Sequence, residues 1–272
     1  MAPVRLTKRI EFAASHRYHN DSWDSARNQA VFGACHTGPG HGHNYLLEVT
    51  VGGEIDACTG MVVNLYDLKQ VLKQVLEEFD HKHLNLDTPY FKDAIPTTEN
   101  VAQVLWRLLA ARPGIGKLEK VRLFEDEGLF ADVAAEANGR ASLTRRYHFS
   151  AAHCLDRQPL SVSAKGRESR SASDSAVAGH NYVLHVTVQG EIHPDTGMVT
   201  DITALDRLVQ EQVLQRFDHR DLGLDPELSV NGLTGEQFAR FIWGLLVKEI
   251  PGGRLACVGL AETQESFYEY AE

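Results

Sequence analysis

Apolar and polar residues alternate over 4–12 and again over 44–54, with β-branched residues interleaved. This period of two predicts a pair of half-buried strands. Over 64–79 the period lengthens: Leu65, Leu68, Val71, Leu72, Val75, Leu76 and Phe79 fall on one helical face. Asn64 is placed as the N-cap of that helix, and Asp67 follows three residues later. A second helix is expected over about 98–109, with Val101, Leu105, Leu108 and Leu109 on one face and Pro113-Gly114 as its stop. Residues 121–125 read as a strand and 129–133 as a weaker one, while 20–40 reads as a long loop. Together these predict an α+β layer, a four-stranded antiparallel sheet with two helices on one face. The bare face must be covered, most simply by oligomerisation.

The same pattern then returns. Phe12-Ala13-Ala14-Ser15-His16 reappears as Phe149-Ser150-Ala151-Ala152-His153, an offset of 153 − 16 = 137. Gly42-His43-Asn44-Tyr45 and Thr59-Gly60-Met61-Val62 return at the same offset, as Gly179-His180-Asn181-Tyr182 and Thr196-Gly197-Met198-Val199. Phe79-Asp80-His81 returns as Phe217-Asp218-His219, 138 residues on, so one residue has been inserted. Glu99, Trp106 and Glu125 then pair with Glu236, Trp243 and Glu262 at 137 again. The chain is a tandem duplication, read as units 1–136 and 142–272 with the polar stretch 136–140 as their boundary. The Ser- and Ala-rich stretch 157–179 of the second unit lacks the Trp23, Phe32 and Cys35 of its counterpart, and is expected to be a mobile loop.

Composition narrows the function. A formal charge of −10 argues against nucleic acid and anionic membranes as partners. No apolar run is long enough to span a bilayer, and the first ten residues lack the apolar core of a secretory signal. Four irregularly spaced cysteines suggest reduced thiols, and a cytoplasmic location is expected. Thirteen histidines in 272 residues are an excess whose placement decides its meaning.

His41 and His43, two apart on a strand, point to one face, and His16 at a neighbouring strand end can supply a third nitrogen. Three imidazoles with one open position form a catalytic, not a structural, zinc pattern; a merely polar His-Gly-His turn is the bland alternative. Cys35 precedes His41 by six residues, near enough for a proton-transfer thiol. Asp80-His81 is either an orienting pair or a histidine favoured by a helix end. Glu125, at a strand end, can accept two hydrogen bonds from an amino-heterocycle or be a surface acid. Thr97, Thr98 and Glu99 are first a helix cap, with ligand contact additional.

With these residues in place, the first unit resembles the 6-pyruvoyl-tetrahydropterin synthase family over nearly all of 4–135. The matching stretches include 12–16, 32–35, 40–45, 53–56, 59–62, 79–82, 89–91, 97–100 and 124–125. The resemblance implies the tunnelling fold (T-fold), zinc held by His16, His41 and His43, and Cys35 as proton shuttle. It also implies an assisting Asp80–His81 dyad, a pterin anchor at Glu125, and active sites at subunit interfaces. The substrate implied is 7,8-dihydroneopterin triphosphate, converted to 6-pyruvoyl-tetrahydropterin with loss of triphosphate. In the related 6-carboxy-tetrahydropterin synthases the cysteine usually lies four residues before the first histidine of the pair. Here the spacing is 41 − 35 = 6, which favours the pyruvoyl branch. In the second unit, at offset 137, Ala178 stands for His41 and Ala172 for Cys35, so that unit is expected to be degenerate. Its retained Asp218, His219 and Glu262 are candidates to complete a first-unit site; for Asp218 and His219 the alternative is that they only hold a helix end. The rival readings are the carboxy-forming enzyme and a non-catalytic pterin-binding scaffold. By analogy with a hexameric family, a homo-oligomer, a trimer of two-unit chains, is expected.

Overall fold

The computed structural model describes residues 3–137, 139–154, 177–231 and 234–272. The mobile loop expected over 157–179 therefore lies almost wholly outside the described residues, as does Ala172. Contacts divide the chain into two compact units: Met1–Arg146 with Thr187–Asp206 and Ile250–Ala256, and Tyr147–Val186 with Arg207–Glu249 and Cys257–Glu272.

In the first compact unit, β1 (Val4–His16), β2 (His41–Gly53), β4 (Lys117–Asp126) and β5 (Leu129–Ala134) pair antiparallel in the order β1-β2-β4-β5. The two-residue β3 (Lys82–His83) adds to β1 in parallel. Helices α2 (Leu65–Leu76) and α4 (Thr98–Ala110) pack on each other, and α4 lies against β4 and β5. Asn64 caps α2 by accepting from the Tyr66 amide, and Thr97 caps α4 by accepting from Asn100. The odd positions of β2, Tyr45, Leu47, Val49 and Val51, and the helix residues Leu68, Leu72, Val101 and Leu105 are all fully buried. Each such side chain contributes roughly 1.5–3 kcal/mol of apolar burial.

The opposite face of this sheet carries a set of polar pairs. Thr7 pairs with Thr50, Arg9 with Glu48, and Arg122 grips Asp132 through two 2.7 Å bonds. The same face carries Leu46, Phe124 and Phe130, with the Phe124 and Phe130 rings 4.9 Å apart and Leu46 and Phe124 only partly buried.

The stretch read as a loop contains α1 (Ser25–Phe32) and a 3₁₀ turn at Gly33–His36. Helix α1 was invisible to periodicity because only Asn28 and Phe32 are buried on it. A polar hub holds it instead: the Asn28 amide donates to the carbonyls of Asn20, Trp23 and Asp24, and accepts from the Asn20 amide.

The second repeat supplies the equivalent four strands, β6 (Ala141–Cys154), β7 (Val177–Gly190), β9 (Arg254–Ala261) and β10 (Phe267–Tyr270), in the order β6-β7-β9-β10, with β8 (Arg220–Asp221) parallel to β6. Its helices include α5 (Ile202–Val209), α6 (Gln215–Phe217), α7 (Pro226–Asn231) and α8 (Gly235–Leu246); α3 (Leu84–Asp87) is a single turn in the first repeat. Between α5 and α6 lies a π-helical segment, Gln210–Leu214. The residue inserted before Phe217 is absorbed there, as a wider turn that keeps both helix ends in register.

Gly40 fixes how β2 enters. Its φ is +126°, and a Cβ would stand 2.5 Å from the His16 carbonyl oxygen. Gly40→Ala is expected to cost roughly 1–3 kcal/mol, read as a lowered thermal midpoint, and to displace His41 from His16.

Candidate metal and pterin site

Register places the donors. His16 faces His41 directly across the β1–β2 ladder, and His43 faces Ala14, whose small side chain leaves room for the ring. All three share the helix-covered side with Phe12 and Tyr45, at the end of the core where α4 begins. His16 Nε2 lies 3.3 Å from His41 Nε2, and His43 Nε2 lies 3.5 Å from Glu125 Oε1. One donor atom from each of the four lies within 4.8 Å of every other.

Tautomers follow from the partners. His16 Nδ1 sits 3.0 Å from the Pro96 carbonyl, which can only accept, so Nδ1 carries the proton and Nε2 presents a lone pair. Burial lowers the His16 pKa to about 4, against the opposing pull of Glu125. Burial likewise lowers that of His41, assisted by His43. His43 Nε2 is buried without a hydrogen-bond partner. Metal bonds of about 2.0–2.1 Å at tetrahedral angles would set donors roughly 3.3 Å apart. The spacings here fit a small divalent ion, and the orphaned His43 nitrogen fits the same reading.

Glu125 is 4% exposed. Its Oε2 accepts from the hydroxyls of Tyr18, at 2.8 Å, and Thr98. Tyr18 was missed by the sequence reading, although the alternation Phe12, Ala14, His16 simply continues to it. Its ring stands edge-on to His16, with centroids 4.9 Å apart. Thr97 and Glu99 do more than cap α4. Thr97 donates to the Gly197 carbonyl, and Glu99 Oε1 accepts from the Val199 amide at 3.0 Å, both within the first compact unit. Glu99 is fully buried, and desolvation lifts its pKa to about 7 despite the Val199 hydrogen bond. Its Oε2 has no hydrogen-bond partner.

Cys35 is half-buried against the cluster of Tyr18, Phe32, Ile95 and Met198. Burial, then the negative charge of Glu125, pushes its thiol up to about 11. In the absence of a nearby cation the sulfur is therefore protonated at neutral pH, the opposite of the lowered pKa that a neighbouring metal would produce. The charged groups bearing on Cys35 are Glu125, Arg145 and Asp126. Asp80 Oδ1 receives the Ala13 amide at 2.9 Å and lies 3.0 Å from His81 Nδ1. His81 is a non-glycine residue with φ +59°, and its side chain is 83% exposed. His219 repeats this geometry at φ +57° beside Asp218.

Residues 5–136 and 142–272 each match the family described as 6-pyruvoyl tetrahydropterin synthase. The chain belongs to that family. Within the 6-pyruvoyl tetrahydropterin synthase family it is similar to the 6-pyruvoyl tetrahydrobiopterin synthases of Pongo abelii and Homo sapiens, 45% and 44% identical over 125 residues. Each alignment covers 46% of this chain and 86% of the relative. A putative 6-carboxy-5,6,7,8-tetrahydropterin synthase of Archaeoglobus fulgidus is 34% identical over 109 residues, 38% of this chain and 88% of that protein. A solved Caenorhabditis elegans 6-pyruvoyl tetrahydropterin synthase shares 34% identity over 50% of this chain and 97% of its own, with a TM-score of 0.47. The chain is thus an enzyme of this lyase type, built as a tandem α+β T-fold and directed to pterin chemistry. Among the described residues, no helix is long and apolar enough to cross a membrane.

Within the second compact unit, His153, His180 and Glu262 form a counterpart of the first repeat's cluster. His153 Nε2 and His180 Nε2 lie 3.4 and 3.7 Å from Glu262 Oε1. The sequence retains Glu262 as the counterpart of Glu125, and the structure brings its carboxylate beside the two imidazoles.

Proposed function

We propose that the first repeat, 1–136, converts 7,8-dihydroneopterin triphosphate to 6-pyruvoyl-tetrahydropterin with loss of triphosphate, and that 142–272 lacks this activity. The observation that carries the reading is the convergence of three imidazole donors in the first repeat beside a half-buried thiol. His16, His41 and His43 would hold Zn²⁺, which when bound supplies Lewis acidity toward the hydroxyls of the substrate side chain.

The remaining work belongs to the chain. Glu125, pinned by Tyr18 and Thr98 on Oε2, offers its carboxylate to the amino and ring N–H groups of the pterin. Thr97, Thr98 and Glu99, at the start of α4, are assigned to substrate binding beside Glu125, to which Thr98 donates. Cys35, protonated at rest, moves protons between side-chain carbons, so that the internal redox change needs no external oxidant. Asp80 and His81, exposed and held in a strained backbone, act on the site of another copy in a homo-oligomer, here taken as a trimer in the cytoplasm.

Incubation with dihydroneopterin triphosphate, followed by mass analysis, tests the proposal. The expected products are 6-pyruvoyl-tetrahydropterin and triphosphate. A 6-carboxy product would assign the side-chain-cleaving branch, and unchanged substrate would leave a pterin-binding scaffold.

A further inference from the structure

We propose that the second repeat holds its own divalent metal ion, in a site of two imidazoles and one carboxylate formed by His153, His180 and Glu262. This goes beyond the catalytic reading of the first repeat and does not depend on it. All three residues lie in the second compact unit.

Three observations carry it. One donor atom from each residue lies within 4.8 Å of the other two. The Glu262 Oε1 separations of 3.4 and 3.7 Å from the two ring nitrogens are near the roughly 3.3 Å that ligands of a small tetrahedral ion adopt. His153 is 94% buried (6% exposed), and its Nε2 has no hydrogen-bond partner although it faces the carboxylate. A buried imidazole nitrogen without a hydrogen bond is a costly arrangement unless something binds it.

The surroundings are adapted to a set of three donors. Tyr182 donates to Glu262 Oε1 at 3.1 Å and Tyr268 to Oε2 at 3.2 Å. These hydroxyls fix the carboxylate and leave Oε1 a second lone pair for an ion. Tyr268 occupies a place that the first repeat gives to Thr98. Its counterpart at offset 137 is Gly235, where a Cβ would collide with the Tyr268 ring. The glycine thus admits a tyrosine whose hydroxyl takes over the hydrogen bond to the glutamate. Ala178, standing where the first repeat has His41, leaves a coordination position without a protein donor. Two imidazoles and a carboxylate with open positions are a ligand set for zinc, iron(II) or cobalt(II), not for magnesium or calcium.

The test titrates metal-stripped full-length chain with Co²⁺, following visible ligand-field absorption and counting bound ions by equilibrium dialysis. Two ions per chain are expected, the second weaker by about tenfold or more for want of a third imidazole. His180→Ala and, separately, Glu262→Gln should each remove the weaker ion and spare the tighter. His41→Ala should do the reverse. Ala178→His, a gain of ligand that needs no loss of packing, should tighten the weaker site by about tenfold or more. Circular dichroism establishes that each variant is folded; should one loss variant unfold, the other and Ala178→His decide. A single ion lost only in His41→Ala would overturn the second site while leaving the first intact. A second ion indifferent to His180→Ala, Glu262→Gln and Ala178→His would overturn it equally. Absence of any bound ion would overturn both metal assignments.

Discussion

Cys35→Ala is expected to lower turnover of dihydroneopterin triphosphate by about 10³-fold or more while leaving the metal content of the first repeat unchanged. General acid–base groups of this kind contribute roughly 10²–10⁴-fold, and the thiol, on which the charge of Glu125 bears, is the group we propose for proton transfer. Its neighbours Tyr18, Phe32 and Met198 are apolar or ring surfaces, and among them only Tyr18 carries a titratable hydroxyl. That hydroxyl donates to Glu125, and burial and the glutamate's charge hold its pKa well above the usual phenol range. It is therefore poorly suited to take over as base. Steady-state rates measured alongside metal content check this. Loss of metal together with activity would make Cys35 a structural or ligating residue, and full activity would remove it from the mechanism.

Glu125→Gln separates two roles that the geometry places on one side chain. As a pterin anchor, its carboxylate accepts from the heterocycle, and an amide presents a donor where an acceptor is needed. The expected loss is about a hundredfold in kcat/KM, roughly 3 kcal/mol, with metal retained because three imidazoles remain. As a fourth metal ligand, Glu125 would instead weaken ion binding when replaced. Kinetics and metal content on the same preparation distinguish the outcomes. Retained metal with a kcat/KM loss supports the anchor, and loss of metal refutes it.

The features legible in the sequence are those in which a short-range pattern has one structural solution. Alternation placed β1 and β2, and carrying it through His16 and back to His41 brought the donors to one face of adjacent strands. Periodic leucines and valines placed α2 and α4, and Asn64 and Thr97 or Thr98 marked their starts. Helix α1 escaped because Asn28 holds it by hydrogen bonds to backbone, a device without hydrophobic period. Tyr18 lay within reach of the same alternation. The contacts of Thr97 with Gly197 and of Glu99 with Val199 span 100 residues and leave no local trace. The Gly235–Tyr268 exchange is legible only once both are placed against Glu262, since neither residue alone suggests a site. The single inserted residue, visible as an offset of 138, could be located only when the π segment showed where the helix had widened.

Zinc added back stepwise to metal-stripped chain, with product formed from dihydroneopterin triphosphate identified by mass at each step, tests the central claim most directly. Activity should rise with the first and tighter equivalent, reach its plateau there, and be absent in His41→Ala at every zinc level. Full activity in the metal-stripped chain, or in His41→Ala, would contradict the account.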